Sequence, residues 1–279
     1  MLRTRVITSV VVLVVLVGML FFASAYAWSL FVLAVALAAC WEWSRLCGLG
    51  RTGQSVYLAL SGAMGGAAWM LHVRAPEDLF REIALVELAF AAVFWIAVAL
   101  PWLRYQWRPA PVLAALAGWL VVWPTWYAFV LLREIGPWVF LATAALVWIA
   151  DVAAYFAGRR FGRNKLAPAV SPGKTWEGVY GALAGVAVYG IALAILTRST
   201  QTPMSAIFSP LFGLPAIAAM IVLAGLSIVG DLLESWMKRG AGRKDSSSLL
   251  PGHGGILDRI DALTSTLPVA ALGISLAGR

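Results

Sequence analysis

The sequence predicts an all-α, polytopic transmembrane helical bundle of about nine spans. Three observations predict it. Apolar residues make up 62% of the chain and charged residues only 12%, against about a quarter charged in soluble domains. Apolar runs of about 18–22 residues recur from end to end, each long enough to cross a hydrocarbon core of roughly 30 Å as a helix. The alternating pattern of a membrane barrel is absent, and isolated strands would leave backbone groups unpaired in lipid.

The nine spans fall at about 6–23, 27–44, 56–73, 83–101, 110–131, 137–158, 177–197, 213–233 and 260–278. The first follows "MLRTR" and ends near "ASAYA". Its apolar part is long for a signal-peptide core and a second span follows at once, so it reads as an uncleaved helix. Residues 1–135 then carry spans one to five. Residues 136–279 carry spans six to nine and two basic loops, 159–176 and 234–259.

Orientation follows from Lys and Arg. One side of the membrane receives Arg3, Arg5, Arg45, Arg51, Arg104 and Arg108. It also receives Arg159, Arg160, Arg163, Lys165 and Lys174 from one loop, and Lys238, Arg239, Arg243, Lys244 and Arg259 from another. The other side receives only Arg74, Arg81, Arg133, Arg198 and Arg279. Positive charge stays inside, so the N-terminus and both basic loops are expected in the cytoplasm. The same bias accounts for the net charge of +8, and a nucleic-acid partner is not needed to explain it.

Several features carry no chemistry. Cys40 and Cys47 share a helix face about 10 Å apart along the axis, too far for a disulfide, and read as packing. Trp102, Trp107, Trp123, Trp126 and Trp138 cluster near span ends and read as an aromatic belt. Gly62–Gly66 and Gly181–Gly185 have the spacing of close helix contacts. Glu77, Asp78, Glu82 and Glu134 read as solvated loop residues. Glu42 and Glu87, in or beside apolar spans, are buried partners or span ends.

Other acidic residues are differently placed. Asp151 ends "ATAALVWIAD", Asp231 ends "IVLAGLSIVGD", and Asp258 and Asp261 open the last span in "GILDRIDALTST". All four lie toward the cytoplasmic ends of their helices by the topology above. A carboxylate at membrane depth is costly and marks a functional site by default. Asp231, Glu234, Ser235 and Lys238 share one helix face; Asp258, Asp261 and Ser265 share another. An interhelical ion pair such as Asp231 with Arg259 would use only some of these groups. Several hard oxygen ligands at helix C-termini suit Mg²⁺.

The basic loops complete the pattern. "SPGKT" at 171–175 is not a phosphate loop of the Walker type, because position 168 is Pro where that motif needs Gly. Its Lys, its Thr hydroxyl and the helix start after it still suit phosphate. The second loop holds "KDSSSLLPGHGGILDRID", with His253 between glycines as a phosphate or substrate contact. Acidic metal ligands beside basic phosphate clamps describe phosphoryl or nucleotidyl transfer, with a lipid as a fitting substrate at that depth.

At these residues the chain resembles the phosphatidate cytidylyltransferases (CDP-diacylglycerol synthases). Ser235–Asp261, "SWMKRGAGRKDSSSLLPGHGGILDRID", matches the family signature throughout, and "DVAAYFAGRRFGRNKLAPAVSPGKTWEG" at 151–178 resembles its second characteristic segment. The resemblance implies that CTP and phosphatidate give CDP-diacylglycerol and pyrophosphate, with Mg²⁺ and a second, monovalent cation such as K⁺. It implies a homodimer in a bacterial inner membrane, with the site facing the cytoplasm. The nucleophile is already an anion, so no general base is required. The obstacle is charge repulsion, which metal ions and Lys or Arg must neutralise while aligning the attack.

On this reading Asp231 and Asp258 bind metal, with Asp261 close by and bridged through Arg259. Lys174, Lys238, Arg239 and Lys244 hold phosphates. Ser171, Thr175, His253, Gly254 and Gly255 form the nucleotide pocket. Asp151 and Asp245 ligate metal, pair with lysines, or contact ribose or base; the sequence leaves these alternatives open. A CTP-dependent lipid-alcohol kinase is the nearest competitor and would release CDP instead of pyrophosphate. A secondary transporter is disfavoured, since it would carry repeated halves and acidic groups near the bilayer middle.

Overall fold

The computed structural model describes residues 2–197 and 213–277. Among these, nine helices are long and apolar enough to cross a membrane. They are α1 (Leu2–Phe22), α2 (Ala25–Ser44), α3 (Arg51–Arg74), α4 (Glu77–Tyr105), α5 (Pro111–Ile135), α6 (Pro137–Phe161), α7 (Trp176–Thr197), α8 (Gly213–Gly240) and α9 (Leu257–Ala277). Each matches one span read from the sequence. Arg198 and Arg279, two of the cations assigned to the outer side, lie outside the described residues.

The central helix is α5, which packs against α2, α4, α6 and α9. Indole N–H groups need acceptors once removed from water, and in lipid only the protein supplies them. Trp43 Nε1 donates to the Ala114 carbonyl at 2.8 Å, Trp28 Nε1 to Phe129 at 3.0 Å, and Trp126 Nε1 to Ser29 at 3.1 Å. Together these stitch α2 to α5. Trp43 lies against Gly118, in the space a Cβ there would fill. The aromatic-belt reading therefore holds only in part. Trp107 and Trp138 are exposed, whereas Trp102, Trp123 and Trp126 are core residues.

The glycine spacings also divide. Ala153 and Ala157 of α6 sit where side chains on Gly181 and Gly185 of α7 would go, so α6 and α7 pack closely. Gly62 and Gly66 face open space and make no such contact. Cys40 and Cys47 are free and buried, as expected.

Two departures matter for the site. First, the stretch 159–176 is not an open loop. After α6 the chain forms an antiparallel hairpin, β1 (Lys165–Ala167) and β2 (Ser171–Thr175), pairing Lys165 with Thr175 and Ala167 with Ser171. Second, α6 and α8 run further than the hydropathy implies. Asp151 lies ten residues before the end of α6 and Asp231 nine before the end of α8, roughly 15 Å short of each terminus. The helix dipole acts within the last turn, so it does not favour a cation at either aspartate, contrary to the sequence reading.

Candidate active site

The acidic helices α6, α8 and α9 meet beside the β1–β2 hairpin and the connection 241–256. Asp231 and Lys238 project from one face of α8, as their spacing requires. Ser235 Oγ donates to Asp231 Oδ1 at 3.3 Å, and Lys238 pairs with Glu234 four residues before it. The other partners come from distant segments. Lys174 on β2 lies 2.7 Å from Asp231 Oδ2, and Lys238 lies 2.6 Å from Asp258 Oδ1 on α9. Asp151 is within electrostatic range of Asp231 and Lys174; Asp261 is within range of Asp231, Lys174 and Lys238. Three carboxylates, those of Asp231, Glu234 and Asp258, thus share two lysines, with Asp151 and Asp261 nearby.

Asp258 is the most constrained of them. Its side chain is 5% exposed. Oδ2 accepts from Ser246 N at 2.9 Å, Ser246 Oγ at 2.8 Å and Gly255 N at 2.7 Å. The bond to Gly255 reaches back over the start of α9, as the acidic residue of a capping box does. Gly254 makes this possible. It has φ +82°, and a Cβ there would stand 2.6 Å from Asp258 Oδ2.

The other half of that cap comes from α2. Glu42 is fully buried and accepts from Ile256 N at 2.9 Å, Leu257 N at 2.6 Å, Ser247 Oγ at 2.6 Å and Ser246 Oγ at 3.0 Å. The Ser246 hydroxyl lies between Glu42 and Asp258, and its single proton serves one carboxylate at a time. Sequence reasoning gave Glu42 no chemistry. The available signal was a lone acid inside the apolar run "ALAACWEWSRL", which is costly unless it is partnered.

The remaining expected residues fall into three groups. Ser171, Lys174 and Thr175 line a cavity of about 490 Å³ with Asp151 and Asp231; within it Thr175 Oγ1 also accepts from Gly178 N at 3.1 Å and caps α7. Lys244, Asp245, His253, Gly254 and Arg259 line a second cavity of about 600 Å³, joined there by Arg5 of α1. Gly255 packs against Ser246 and Glu42. Arg239 lines neither cavity. Its guanidinium donates to the carbonyls of Val170 at 3.4 Å and Arg243 at 3.3 Å, holding the hairpin and the end of α8. Arg259 bridges no aspartate among the described residues; its Nε donates to the His253 carbonyl at 3.1 Å. Asp231 pairs with Lys174 and not with Arg259.

The donor set suits a hard divalent cation in kind. It is all carboxylate, it outnumbers its lysines, and Glu234 Oε1 is buried without a hydrogen-bond partner. Among the described residues, however, no three such donors converge in a preformed cage. Lysines occupy Asp231 and Asp258 instead.

Comparison with known proteins covers nearly the whole chain. The pattern of the cytidylyltransferase family matches residues 3–277. A phosphatidate cytidylyltransferase of Pseudomonas aeruginosa is 40% identical, over 100% of this chain and 98% of the relative. One from Haemophilus influenzae is 34% identical over 96% of each chain. Another, from Brucella suis, is 34% identical over 95% of this chain and 90% of the relative. The match takes in the acidic helices, the hairpin and the Ser235–Asp261 segment alike, and the chain belongs to the cytidylyltransferase family.

Proposed function

We propose that this protein transfers the cytidylyl group of CTP to phosphatidate at the cytoplasmic face of a bacterial inner membrane, giving CDP-diacylglycerol and pyrophosphate. One observation carries the reading: Lys174 and Lys238, from separate segments, each sit on an aspartate within a cluster that holds more carboxylates than lysines. Such a cluster is built to receive phosphates and cations together. In the reaction a phosphatidate oxygen forms a bond to the α-phosphorus of CTP. The bond from that phosphorus to the bridging oxygen breaks, and pyrophosphate leaves with the electron pair.

The chain's own residues manage the charge. Lys174 and Lys238 exchange their aspartates for phosphate oxygens as substrate enters, and Lys244 adds a further positive contact. Exclusion of water around the half-buried lysines strengthens each contact. Asp231, Asp258 and Asp261 would hold Mg²⁺, with Glu234 beside them; a monovalent cation such as K⁺ would be a second occupant. When bound, the metal would supply charge neutralisation. The surplus of Lys and Arg in the flanking segments supports a cytoplasmic orientation, and a homodimer is the proposed assembly.

The test uses purified protein with α-labelled CTP, phosphatidate and Mg²⁺. A labelled lipid with stoichiometric pyrophosphate is the expected result. Release of CDP with a phosphorylated lipid would replace this reading with the kinase, and no labelled or phosphorylated lipid at all would remove both.

A further inference from the structure

We infer that Arg5 of the first helix completes the phosphate site expected at the 244–254 loop, where it lines the 600 Å³ cavity between that loop and α1. The inference rests on the proposed phosphate chemistry, which already uses Lys244, and adds to it a residue of the first helix.

Three cations, Arg5, Lys244 and Arg259, line this cavity against one carboxylate, Asp245. Among the described residues none of the three belongs to an ion pair. Unpaired cations around a concave space attract an anion, and guanidinium groups match phosphate oxygens in fork geometry. The volume exceeds the needs of a single phosphate group and admits a di- or triphosphate.

The first helix is otherwise poorly held. Little of α1 is buried, and its contact with α2 is slight. Its C-terminal end is held by the buried Leu20, by Phe21 against Trp138, and by Arg133 Nε, which donates to the Leu20 carbonyl at 3.3 Å; the attachments of its N-terminal half are polar and lie at this cavity. Thr8 Oγ1 donates to the Pro251 carbonyl at 3.0 Å, and Ser9 Oγ is 2.9 Å from His253 Nε2. Gly252, at φ +78°, lets the loop come against the Arg5 side chain, which a Cβ there would meet at 3.0 Å. Ser9 thereby fixes the His253 ring, and Nδ1 of that ring is buried without a hydrogen-bond partner. An apolar span needs no polar stripe of Arg5, Thr8 and Ser9 for lipid contact. The stripe meets the loop at the one place where it closes a basic cavity.

Phosphate is the shared chemistry, and its source is either the nucleotide or the lipid headgroup. The experiment measures pyrophosphate binding by calorimetry on full-length purified protein, and separately the KM values for CTP and phosphatidate. Arg5→Gln is compared with Arg5→Lys, with Ser9→Ala, and with Arg51→Gln as a control outside the cavity. Loss of one charge-assisted contact should weaken the relevant ligand on the order of tenfold, with Arg5→Lys recovering most of it and Arg51→Gln unchanged. A rise in pyrophosphate Kd and in the KM for CTP assigns the cavity to the nucleotide. A rise in the KM for phosphatidate alone assigns it to the lipid. Arg5→Gln at wild-type values in all three measurements, with an unchanged melting profile, overturns the inference. Pyrophosphate binding is read without turnover, so it can fail or succeed independently of the proposed reaction.

Discussion

Lys174 Nζ lies 2.7 Å from Asp231 Oδ2, and this contact joins the hairpin after α6 to the middle of α8. The two residues are 57 positions apart. Both are partly open to solvent, with side chains 24% and 31% exposed.

The pair therefore contributes little to stability, about 0–1 kcal/mol for a pair of this exposure. Its value lies in what each partner does when substrate enters. Lys174→Met should leave the melting temperature within a few degrees of wild type. Turnover should fall on the order of a hundredfold, as loss of one preorganised charge on a reacting phosphate does. Thermal unfolding and nucleotide-transfer assays on the same preparation check both.

Asp258 behaves differently because it is buried. Asp258→Asn removes one of the two carboxylate partners of Lys238, the other being Glu234, and weakens acceptance from Ser246 and Gly255. Stranding a buried charge completely costs about 3–5 kcal/mol; Lys238 keeps Glu234, so this variant should lose less stability than that while losing its activity. Joining it with Lys238→Met strands Glu234, whose lysine is then gone. The double variant should melt well below Asp258→Asn and be equally inactive, and that split separates the chemical role from the structural one.

Glu42 is expected to hold the loop and not to touch substrate. Glu42→Gln replaces one acceptor with an N–H₂ facing the donors Ile256 N, Leu257 N and the Ser246 and Ser247 hydroxyls. A buried donor left without an acceptor costs about 1–3 kcal/mol. Hydrogen exchange should accelerate at residues 246–257, and turnover should fall with little change in KM. Unchanged exchange in that segment would show that the loop is held elsewhere.

Gly254→Ala should be more damaging than its size implies. The left-handed backbone strains any L side chain by about 1–3 kcal/mol, and the new methyl would push on Asp258 Oδ2. Gly62→Ala, which meets open space on α3, is the contrasting change and should be silent in activity and melting alike.

The helix count, the face shared by Asp231, Glu234, Ser235 and Lys238, and the gathering of charged residues near Ser235–Asp261 were all legible in the sequence. Each depends on local quantities: hydropathy over a span, a 3.6-residue period, and the cost of charge in lipid. The hairpin at 165–175 was not legible. Its strands are three and five residues long, too short to set an apolar rhythm of their own. The fate of Arg239 and Arg259, turned to backbone carbonyls, was equally hidden, since a guanidinium donates to whichever acceptor folding brings near.

By itself the sequence determined a membrane-embedded helical bundle and a segment dense enough in charged and glycine positions to mark its chemistry. Only the tertiary structure decided which lysine meets which aspartate, that Glu42 caps α9 from another helix, and that Arg5 borders a cavity some 240 residues further along the chain. The reason is physical. Hydropathy and periodicity act between neighbours in sequence, whereas ion pairs and caps depend on distances that packing alone sets.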